Sequence, residues 1–282
     1  GGWALAVRGL RPPQPLSDEL VLLWTLRGAP HLYRRADLAS VLAAVAPVSD
    51  PDAGKRIFDA AKPLREAGIA PLAALDPVAD RMRQVVTTPM VKGEVSTRLT
   101  GLLPEPYLRY CRRCQATHTY EQTFRLGATR ARLELQPGTS PPVLRPLRTQ
   151  PAKQPLPQHD VIRAYLRLLG PATPAMVARF LDSPLAEVRT RWPEDVQEVH
   201  VDGATRWVLA SDADRVSAGA AEATRLLGPY DLFRQAQDRS LLVPDPDRVK
   251  TVWPVLGRPG AVLAGSQLVG TWRPRASGRK LT

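Results

Sequence analysis

The segment YCRRCQATH concentrates side chains that bind soft metal ions or exchange disulfides. Cys111 and Cys114 form a C-x-x-C pair, and His118 follows four residues after the second cysteine. A structural zinc site usually takes four ligands from two such pairs, and the sequence has no second pair. His159 and His200 are distant in sequence. We therefore expect reduced, partly buried thiols and no metal, with zinc as the less favoured alternative.

Other catalytic signatures are absent from the sequence. It has no P-loop, no G-x-G-x-x-G, no H-E-x-x-H and no G-x-S-x-G motif. A thioredoxin-like redox role is also disfavoured, because no strand is predicted before the C-x-x-C pair in a βαβ unit. These absences argue against nucleotide hydrolases, dehydrogenases and serine esterases, and no cofactor is expected.

Residues 160–209 have the pattern of three short helices followed by a two-stranded hairpin. Asp160 is the expected N-cap of the first helix, and Gly170 ends it. Thr-Pro and Ser-Pro pairs open the next two helices. In HVDGATRWVL, Asp202 and Gly203 supply the positive φ angles of a tight hairpin turn. This order of elements is typical of a winged helix, in which the hairpin is the wing.

The third helix and the hairpin carry cations suited to phosphate contacts. Arg189 and Arg191 face away from the apolar Val188, and Arg206 stands beside Trp207 on the hairpin. A recognition helix and a wing with arginines would fit a nucleic-acid backbone. The alternative is that each arginine only solvates an exposed face, which is the usual role of surface charge.

The whole chain is strongly basic. It has 39 Lys and Arg against 27 Asp and Glu, a net charge of +12. An excess of this size favours a polyanionic partner. Most of the cations are arginines, whose planar fork suits phosphates and base edges, although a GC-rich genome would enrich arginine, alanine and proline for unrelated reasons.

The length and the prolines predict several folding regions. A chain of 282 residues with 44% apolar content can bury one large core or two to three small ones. The Pro-rich stretch 136–159 is predicted as an extended linker. It would follow an N-terminal winged-helix region (1–135) and precede a winged-helix domain (160–212) and a C-terminal α/β region (213–282). The predicted class is α+β, with tandem winged-helix domains and a small C-terminal β-containing region.

Five helices are predicted in the N-terminal region. Ser17 is the expected cap of the first, which should end near Gly28. Short helices with repeated Thr-Pro or Ser-Pro starts suggest more than one winged-helix unit here. The five segments are SDELVLLWTLRG, RADLASVLAAVAP, PLAALDPVADRMRQVV, TPMVKGEVSTRLTG and TYEQTFRLGATRARL.

No targeting or membrane segment is visible. No run approaches the roughly 18 apolar residues that span a bilayer, and no signal peptide is visible in the given sequence. We expect a cytoplasmic monomer without a membrane partner. The first residue is Gly1 rather than Met, which suggests a start inside a longer protein or after a tag.

Three segments carry a resemblance to a known family. WTLRGAPHLYRRADL, YCRRCQATHTYEQTFR and the C-terminal LLGPYDLFRQAQDRSLLVPDPDRVKTVWPVLGRPGAVLAGSQLVGTWRPR together closely resemble the winged-helix DNA glycosylases of the AlkZ-like family. The resemblance covers essentially the full chain. It is strongest at Arg27, Gly28 and His31, and at Gly270, Thr271, Trp272 and Arg273.

The resemblance implies tandem winged helices that form a concave, basic surface around damaged double-stranded DNA. Members of the family remove alkylated purines, and some unhook interstrand crosslinks. A cationic N7- or N3-alkylated base is already a good leaving group. The enzyme must mainly place water and stabilise an oxocarbenium-like sugar. No metal or redox cofactor is needed for this chemistry.

The sequence departs from the family at its catalytic motif. The family's Q-x-Q or Q-x-D pair is expected a few residues before GGWALAVRGL, and the given sequence begins too late to show it. Gln235 and Gln237 form a Q-x-Q, but they lie in the C-terminal region and are expected to be solvated or strand-terminal. The catalytic residues are therefore unassigned. Either the motif lies upstream in a longer protein, or this member binds DNA without cutting it.

Two hypotheses follow. The first is a monofunctional DNA glycosylase for alkylated or crosslinked purines; the second is a non-catalytic winged-helix DNA-binding protein, either a regulator or a lesion-binding resistance protein. Arg27 and His31 are the active-site or DNA-contact candidates, since an imidazole can contact phosphate or steady water; the alternative for His31 is packing between helix and strand. The predicted DNA-binding cations are Lys92, Arg98, Arg189, Arg191, Arg206, Arg239 and Arg273.

Overall fold

The computed structural model describes residues 2–10, 18–217, 219, 222–235, 238–277 and 280–281. Helices and strands are mixed along the chain, which confirms the α+β class. Within the described part, no helix is both long and apolar enough to cross a membrane. The helices are α1 (Gly2–Ala6), α2 (Leu38–Val45), α3 (Asp50–Arg56), α4 (Ala61–Glu66), α5 (Leu75–Val85), α6 (Lys92–Thr100), α7 (Glu121–Arg130), α8 (Val161–Leu169), α9 (Pro174–Leu181), α10 (Leu185–Thr190), α11 (Arg239–Leu242) and α12 (Pro246–Val252). The strands are β1 (Leu20–Trp24), β2 (Pro30–Arg34), β3 (Met90–Val91), β4 (Leu108–Cys111), β5 (Ala116–Thr119), β6 (Leu133–Leu135), β7 (Val143–Pro146), β8 (Val196–Val201), β9 (Ala204–Leu209), β10 (Thr224–Leu227), β11 (Gly260–Ala264), β12 (Gln267–Trp272), β13 (Ala276–Ser277) and β14 (Lys280–Leu281).

The chain packs as two compact units. The larger unit contains Gln14–Tyr165 and Thr173–Glu194, and the smaller contains Gly1–Pro13, Leu166–Ala172 and Asp195–Thr282. The domains predicted from the sequence are regions that fold independently, whereas these two units are defined by packing. The predicted domain boundaries therefore stay a prediction.

A five-stranded antiparallel sheet organises the larger unit, in the order β2-β1-β6-β7-β3. Strand β1 pairs with β2 over its whole length, with Leu23 opposite His31, and its other edge meets β6. Helices α5, α6 and α7 supply much of the core. In that core, the ring of Phe124 lies edge-on to Trp24, with 6.1 Å between centroids. The sheet and these helices therefore share one apolar interior.

One order of elements occurs twice along the chain. Helix α5 is followed by β3, by α6 and α7, and by the hairpin β6–β7, with the small hairpin β4–β5 inserted between α6 and α7. In the sheet, β7 pairs with both β6 and β3. The second series is α8, α9, α10 and the hairpin β8–β9. In this second series, an isolated antiparallel bridge between Ala172 and Trp207 corresponds to the pairing of β3 with β7 in the first series.

Most predicted helices are confirmed, together with their end signals. Asp160 accepts hydrogen bonds from the first backbone N–H groups of α8, and Thr173 caps α9. Asp202 and Gly203 have φ angles of 49° and 77°, so the hairpin turn is also as predicted. Helix α6 begins only at Lys92, after β3, rather than at the Thr-Pro pair. Helices α3 and α4 were missed by the sequence analysis.

The first predicted helix is wrong. SDELVLLWTLRG forms the strand β1, not a helix; its expected cap, Ser17, lies outside the described residues. The run from Leu20 to Trp24 is apolar throughout, a pattern that a helix and a buried strand share. Strand β1 pairs with β2 and β6 on its two edges, and its side chains pack into apolar clusters on the faces of the sheet.

The Pro-rich stretch is extended, as predicted, but it is not a free linker. Residues Val143–Pro146 form β7, an inner strand of the sheet. Further along, the N–H groups of Ala152 and Leu156 donate to the carbonyl of Ala39 and the hydroxyl of Ser40, at 2.8 Å each. Prolines are compatible with this arrangement because the stretch contributes only a short strand.

The smaller unit holds the three-stranded sheet β10-β11-β12 and the helices α11 and α12. Arg234 is buried, and its guanidinium donates to the carbonyls of Pro259 and Val252 at 2.5 and 2.6 Å. Residues 2–10 also pack in this unit. Arg8 forms a bidentate ion pair with Asp231 at 3.0 Å.

Substitution of Gly127 tests the packing of α7 against α5. A Cβ atom at this position would lie 2.5 Å from Cγ1 of Val78. We expect Gly127→Ala to lower the free energy of unfolding by about 1–3 kcal/mol, the usual result of overpacking. Urea denaturation measures the change.

The matched control is Gly93→Ala, also within a helix. No atom lies within 4 Å of a Cβ at Gly93, so this substitution should be neutral or stabilise by up to about 1 kcal/mol. Equal effects of the two substitutions would contradict the close approach of α5 and α7. Adding Val78→Ala to Gly127→Ala should recover part of the loss.

Candidate functional site

The connection between β1 and β2 is a tight turn that packs against α7. Arg27 and Gly28 both have positive φ, 58° and 63°. The positive φ of Gly28 favours glycine, and a Cβ here would lie 2.4 Å from Oε1 of Gln122, so the Gln122 side chain would have to move. Arg125 of α7 donates to the Gly28 carbonyl at 2.8 Å. The turn is therefore fixed in place by the helix beneath it.

Thr25, His31 and Tyr33 form a hydrogen-bonded cluster beside this turn. The His31 Nδ1 atom lies 2.9 Å from the Thr25 hydroxyl and 3.0 Å from the Ala29 carbonyl. The same hydroxyl lies 2.7 Å from the Tyr33 hydroxyl. A carbonyl only accepts, so the bond to Ala29 requires the proton on Nδ1. In the neutral ring, Nε2 is then the acceptor.

Burial keeps both rings of this cluster uncharged near neutral pH. It lowers the pKa of His31; the bond to Ala29 opposes this effect, and the positive charge of Arg27 adds to it. Burial also raises the pKa of Tyr33 to about 12, against the bond to Thr25. A neutral imidazole is suited to hold water or a polar group rather than to attract phosphate.

Arg27 reaches from the turn to the end of α9. Its guanidinium lies 5.1 Å from the centroid of the Phe180 ring, a cation–π contact. Asp182, with φ of 51°, ends α9 beside it. Burial raises the pKa of the Asp182 carboxyl, against the lowering by the charges of Arg27, Lys55 and Arg56. The turn, α3 and the end of α9 thus meet around one carboxylate.

Helix α3 holds this region together through charged and polar contacts. Arg56 is buried, pairs with Asp52 at 2.8 Å and donates to the Val45 carbonyl. Lys55 donates to the carbonyl of Ser183 at 2.8 Å. Ser49, which caps α3, donates to Glu187 of α10 at 2.5 Å. The start of α10 is therefore fixed against α3.

Arg191 belongs to the same cluster. Burial lowers the pKa of the Arg56 guanidinium; Asp52 and Asp182 oppose this effect, and the positive charge of nearby Arg191 adds to it. Two predicted site residues, Arg27 and Arg191, are thus brought to one region of the larger unit. Sequence analysis missed Lys55, Arg56 and Asp182, although the Ser-Asp-Pro-Asp start of α3 is a recognisable helix signal.

Two of the other predicted cations form ion pairs within the fold. Lys92 binds both oxygens of Glu121, at 2.9 and 2.8 Å, and shares this carboxylate with Arg125. The hairpin arginine, Arg206, forms a bidentate pair with Asp238 at 2.9 and 3.0 Å, and its side chain is only 14% exposed. Of the two, Arg206 has the less exposed side chain.

The remaining predicted cations are exposed. Arg98 pairs with Glu94 on the same helix at 2.6 Å. Arg239 lies over the Trp253 ring at 5.1 Å, and Arg273 donates to the Gly257 carbonyl. Arg189 is exposed on α10. Gln235 is half-buried in a short turn, and Gln237 lies outside the described residues.

A cavity of about 390 Å³ lies in the larger unit next to this cluster. Both Thr25 and Arg56 line it, together with Trp24, Arg130 and Lys153. Its size is in the range of small-molecule sites. Thr25 therefore links the hydrogen bonds of His31 and Tyr33 to a partly open cavity.

Comparison with known proteins identifies the family. The sequence profile described as DNA glycosylase AlkZ-like matches residues 16–282. The chain therefore belongs to the AlkZ-like DNA glycosylases, a family of DNA repair enzymes that act on DNA. This confirms the resemblance found in the sequence.

A solved structure shows the same fold. Streptomyces sahachiroi DNA glycosylase AlkZ matches with a TM-score of 0.64 and 21% sequence identity, covering 93% of this chain and 72% of that one. No curated protein matches the sequence. The solved structure supports the fold, and the family profile supports the function in general.

The neutral state of His31 gives a test by pH. Its pKa in the folded protein is lower than the ordinary 6.5, so the unfolded chain binds more protons between the two values. The stability contributed by neutral His31 is complete above the ordinary pKa and is lost as pH falls through the folded value. We expect the free energy of unfolding of the wild type, minus that of His31→Gln, to decrease from about pH 7 to about pH 5. Urea denaturation at each pH measures it, and a constant difference would contradict the burial of the imidazole.

Proposed function

We propose that this protein is a monofunctional DNA glycosylase that hydrolyses the N-glycosidic bond of alkylated or crosslinked purines in double-stranded DNA. The family match over residues 16–282 carries the proposal. The net charge of +12 supports a duplex as partner. The protein acts as a cytoplasmic monomer and uses no cofactor.

Two winged-helix modules hold the DNA. The first consists of α5, β3, α6, α7 and the hairpin β6–β7; the second consists of α8, α9, α10 and the hairpin β8–β9. The order helix, strand, two helices, hairpin, with the last strand paired to the first, supports this proposal. The insertion of β4–β5 lengthens the first module without changing that order.

The cluster of Arg27, Lys55, Arg56, Asp182 and Arg191 (the Asp182 cluster) faces the phosphates of the DNA. Arg27, Lys55 and Arg191 place positive charge in this cluster, and Arg56 is paired with Asp52. Exposed Arg189 extends this charge along α10. Arg206 is a weaker candidate than the sequence implied, because contact with phosphate would break its bidentate pair with Asp238.

The chemistry requires little from the protein beyond placement. An N7- or N3-alkylated purine leaves as a neutral base, so the enzyme stabilises the oxocarbenium-like sugar and positions water. Neutral His31, oriented by Thr25 and Ala29, positions that water. No residue is assigned as the group that activates it, and no catalytic role is given to Gln235 or Gln237.

Release of the damaged base tests the activity. Incubation of the full-length protein with methylated duplex DNA should release free 7-methylguanine, measured by liquid chromatography and mass spectrometry. Duplexes with an interstrand crosslink test unhooking in parallel. Duplex binding without release from any of several lesions would overturn the enzyme and leave the non-catalytic DNA-binding protein.

Salt dependence tests the phosphate contacts. The affinity for duplex DNA should fall steeply with salt, and Arg189→Ala and Arg191→Ala should each reduce the log–log slope by roughly 0.9 for one lost phosphate contact. The loss should be similar for all sequences, because phosphates carry no base information. Fluorescence anisotropy over a salt series measures both quantities.

Arg81→Ala is the matched control for these two variants. Arg81 is an exposed arginine on α5, bonded to Gln84 rather than to the Asp182 cluster. Its loss changes the net charge equally and should leave the slope nearly unchanged. Equal slopes for all three variants would mean that overall charge, not this cluster, governs binding.

A further inference from the structure

The small hairpin β4–β5 brings together the two cysteines and the histidine of the segment YCRRCQATH. Cys111 ends β4, Cys114 lies in the turn, and His118 lies on β5 opposite Arg109. Their ligand atoms are all within 4.8 Å of one another. Cys111 and His118 are half-buried, whereas Cys114 is exposed, so the expectation of two partly buried thiols is wrong for Cys114. An exposed thiol does not fill a core, and packing does not explain the pair.

The turn holds the two sulfur atoms in place by itself. The backbone N–H groups of Arg113 and Cys114 hydrogen-bond to the Cys111 sulfur. Gln115 has a positive φ of 52°, which reverses the chain directly after the second cysteine. The side-chain amide of Gln115 donates to the Arg112 carbonyl at 2.6 Å and accepts from the Tyr110 hydroxyl at 2.9 Å. The ligand set is therefore preorganised by contacts that do not involve a metal.

We propose that Cys111, Cys114 and His118 bind one Zn²⁺ through two thiolates and one imidazole, with water in a fourth, solvent-accessible position. Two thiolates and an imidazole are the donor set that zinc prefers. Tetrahedral zinc, with bonds of about 2.3 Å to sulfur and about 2.0 Å to nitrogen, separates its ligand atoms by roughly 3.5–3.8 Å. From a spacing of at most 4.8 Å, a closing movement of about 1 Å completes the site.

Binding is balanced in charge and protons. Each thiol loses one proton to solvent, so the two positive charges of the metal replace two protons. Metal binding therefore leaves the net charge of the turn unchanged. Arg112 and Arg113, between the two cysteines, keep the turn positively charged. The metal fixes this basic turn relative to β5. His159 and His200 are not part of the cluster: His159 lies 3.8 Å from Asp37, and His200 lies beside Glu198.

Metal titration of the full-length protein tests the proposal, and it does not depend on glycosylase activity. The protein is reduced, stripped with a chelator, transferred to chelator-free buffer and titrated with Co²⁺. We expect one equivalent to bind, with thiolate-to-cobalt charge-transfer absorption and the intense d–d bands of a tetrahedral site. Zn²⁺ should displace the cobalt and abolish the bands.

Variants assign the ligands. Cys111→Ser and Cys114→Ser should lose the charge-transfer absorption and the stoichiometric binding. His118→Gln should raise the dissociation constant by more than the roughly tenfold that loss of even an outer-shell partner causes. His200→Gln removes an exposed histidine outside the cluster and should bind cobalt as the wild type does.

Hydrogen exchange separates a built site from loose binding. Zn²⁺ should slow the exchange of backbone amides in residues 108–119 in the wild type and not in Cys114→Ser. The proposal is overturned if the reduced protein binds no cobalt, if the spectrum lacks thiolate charge transfer, or if exchange in the hairpin is unaffected by zinc. A Cys111–Cys114 disulfide that persists in reducing buffer would also overturn it, in favour of a redox pair.

Discussion

The pairing of β1 with β2 is the constraint on which the candidate site depends. Strand β1 lies inside a sheet, between β2 and β6, and its register places Leu23 opposite His31. Successive side chains alternate between the two faces of a strand, so a shift by one residue would move His31 to the other face. The short turn at Arg27 and Gly28 follows from this register. Its position then follows from the contact of Gly28 with α7.

The same arrangement explains how positive charge is distributed in the larger unit. Arg56 is used inside the fold, where Asp52 and the Val45 carbonyl satisfy its guanidinium. Removing either partner of such a buried pair leaves an uncompensated charge and is strongly destabilising. With Arg56 committed in this way, its charge is not available to a partner outside the fold. A count of arginines therefore overstates the charge available to DNA.

The family match and the order of the elements support the proposed function from different directions. The match over residues 16–282 concerns the sequence as a whole. The repeated order of helices and hairpins is a feature of the structure. In the first series the last strand, β7, pairs with β3, and in the second series Trp207 of the last strand, β9, forms a bridge with Ala172. The hairpin β4–β5 is extra to that order, which leaves its cysteines and histidine available for a separate task.

The sequence by itself determined the features that depend on neighbouring residues. The caps at Asp160 and Thr173, the turn at Asp202 and Gly203, and the helices from α5 to α10 follow from side chains that act over three or four residues. The family was also identified from the sequence, because its motifs are linear. Of the candidate site, sequence analysis found Arg27, His31 and Arg191, but not what lies around them.

Only the tertiary structure determined that β1 and β7 are inner strands of the sheet. It also determined which of the predicted cations form contacts within the fold. An apolar run such as Leu20–Trp24 suits a helix or a buried strand equally, and the choice depends on the strands that pair with it. Arg206 forms an ion pair with Asp238, and Arg27 lies near Asp182. These partners lie far apart in the sequence. Since an ion pair depends on distance in space and not along the chain, local patterns carry no record of it.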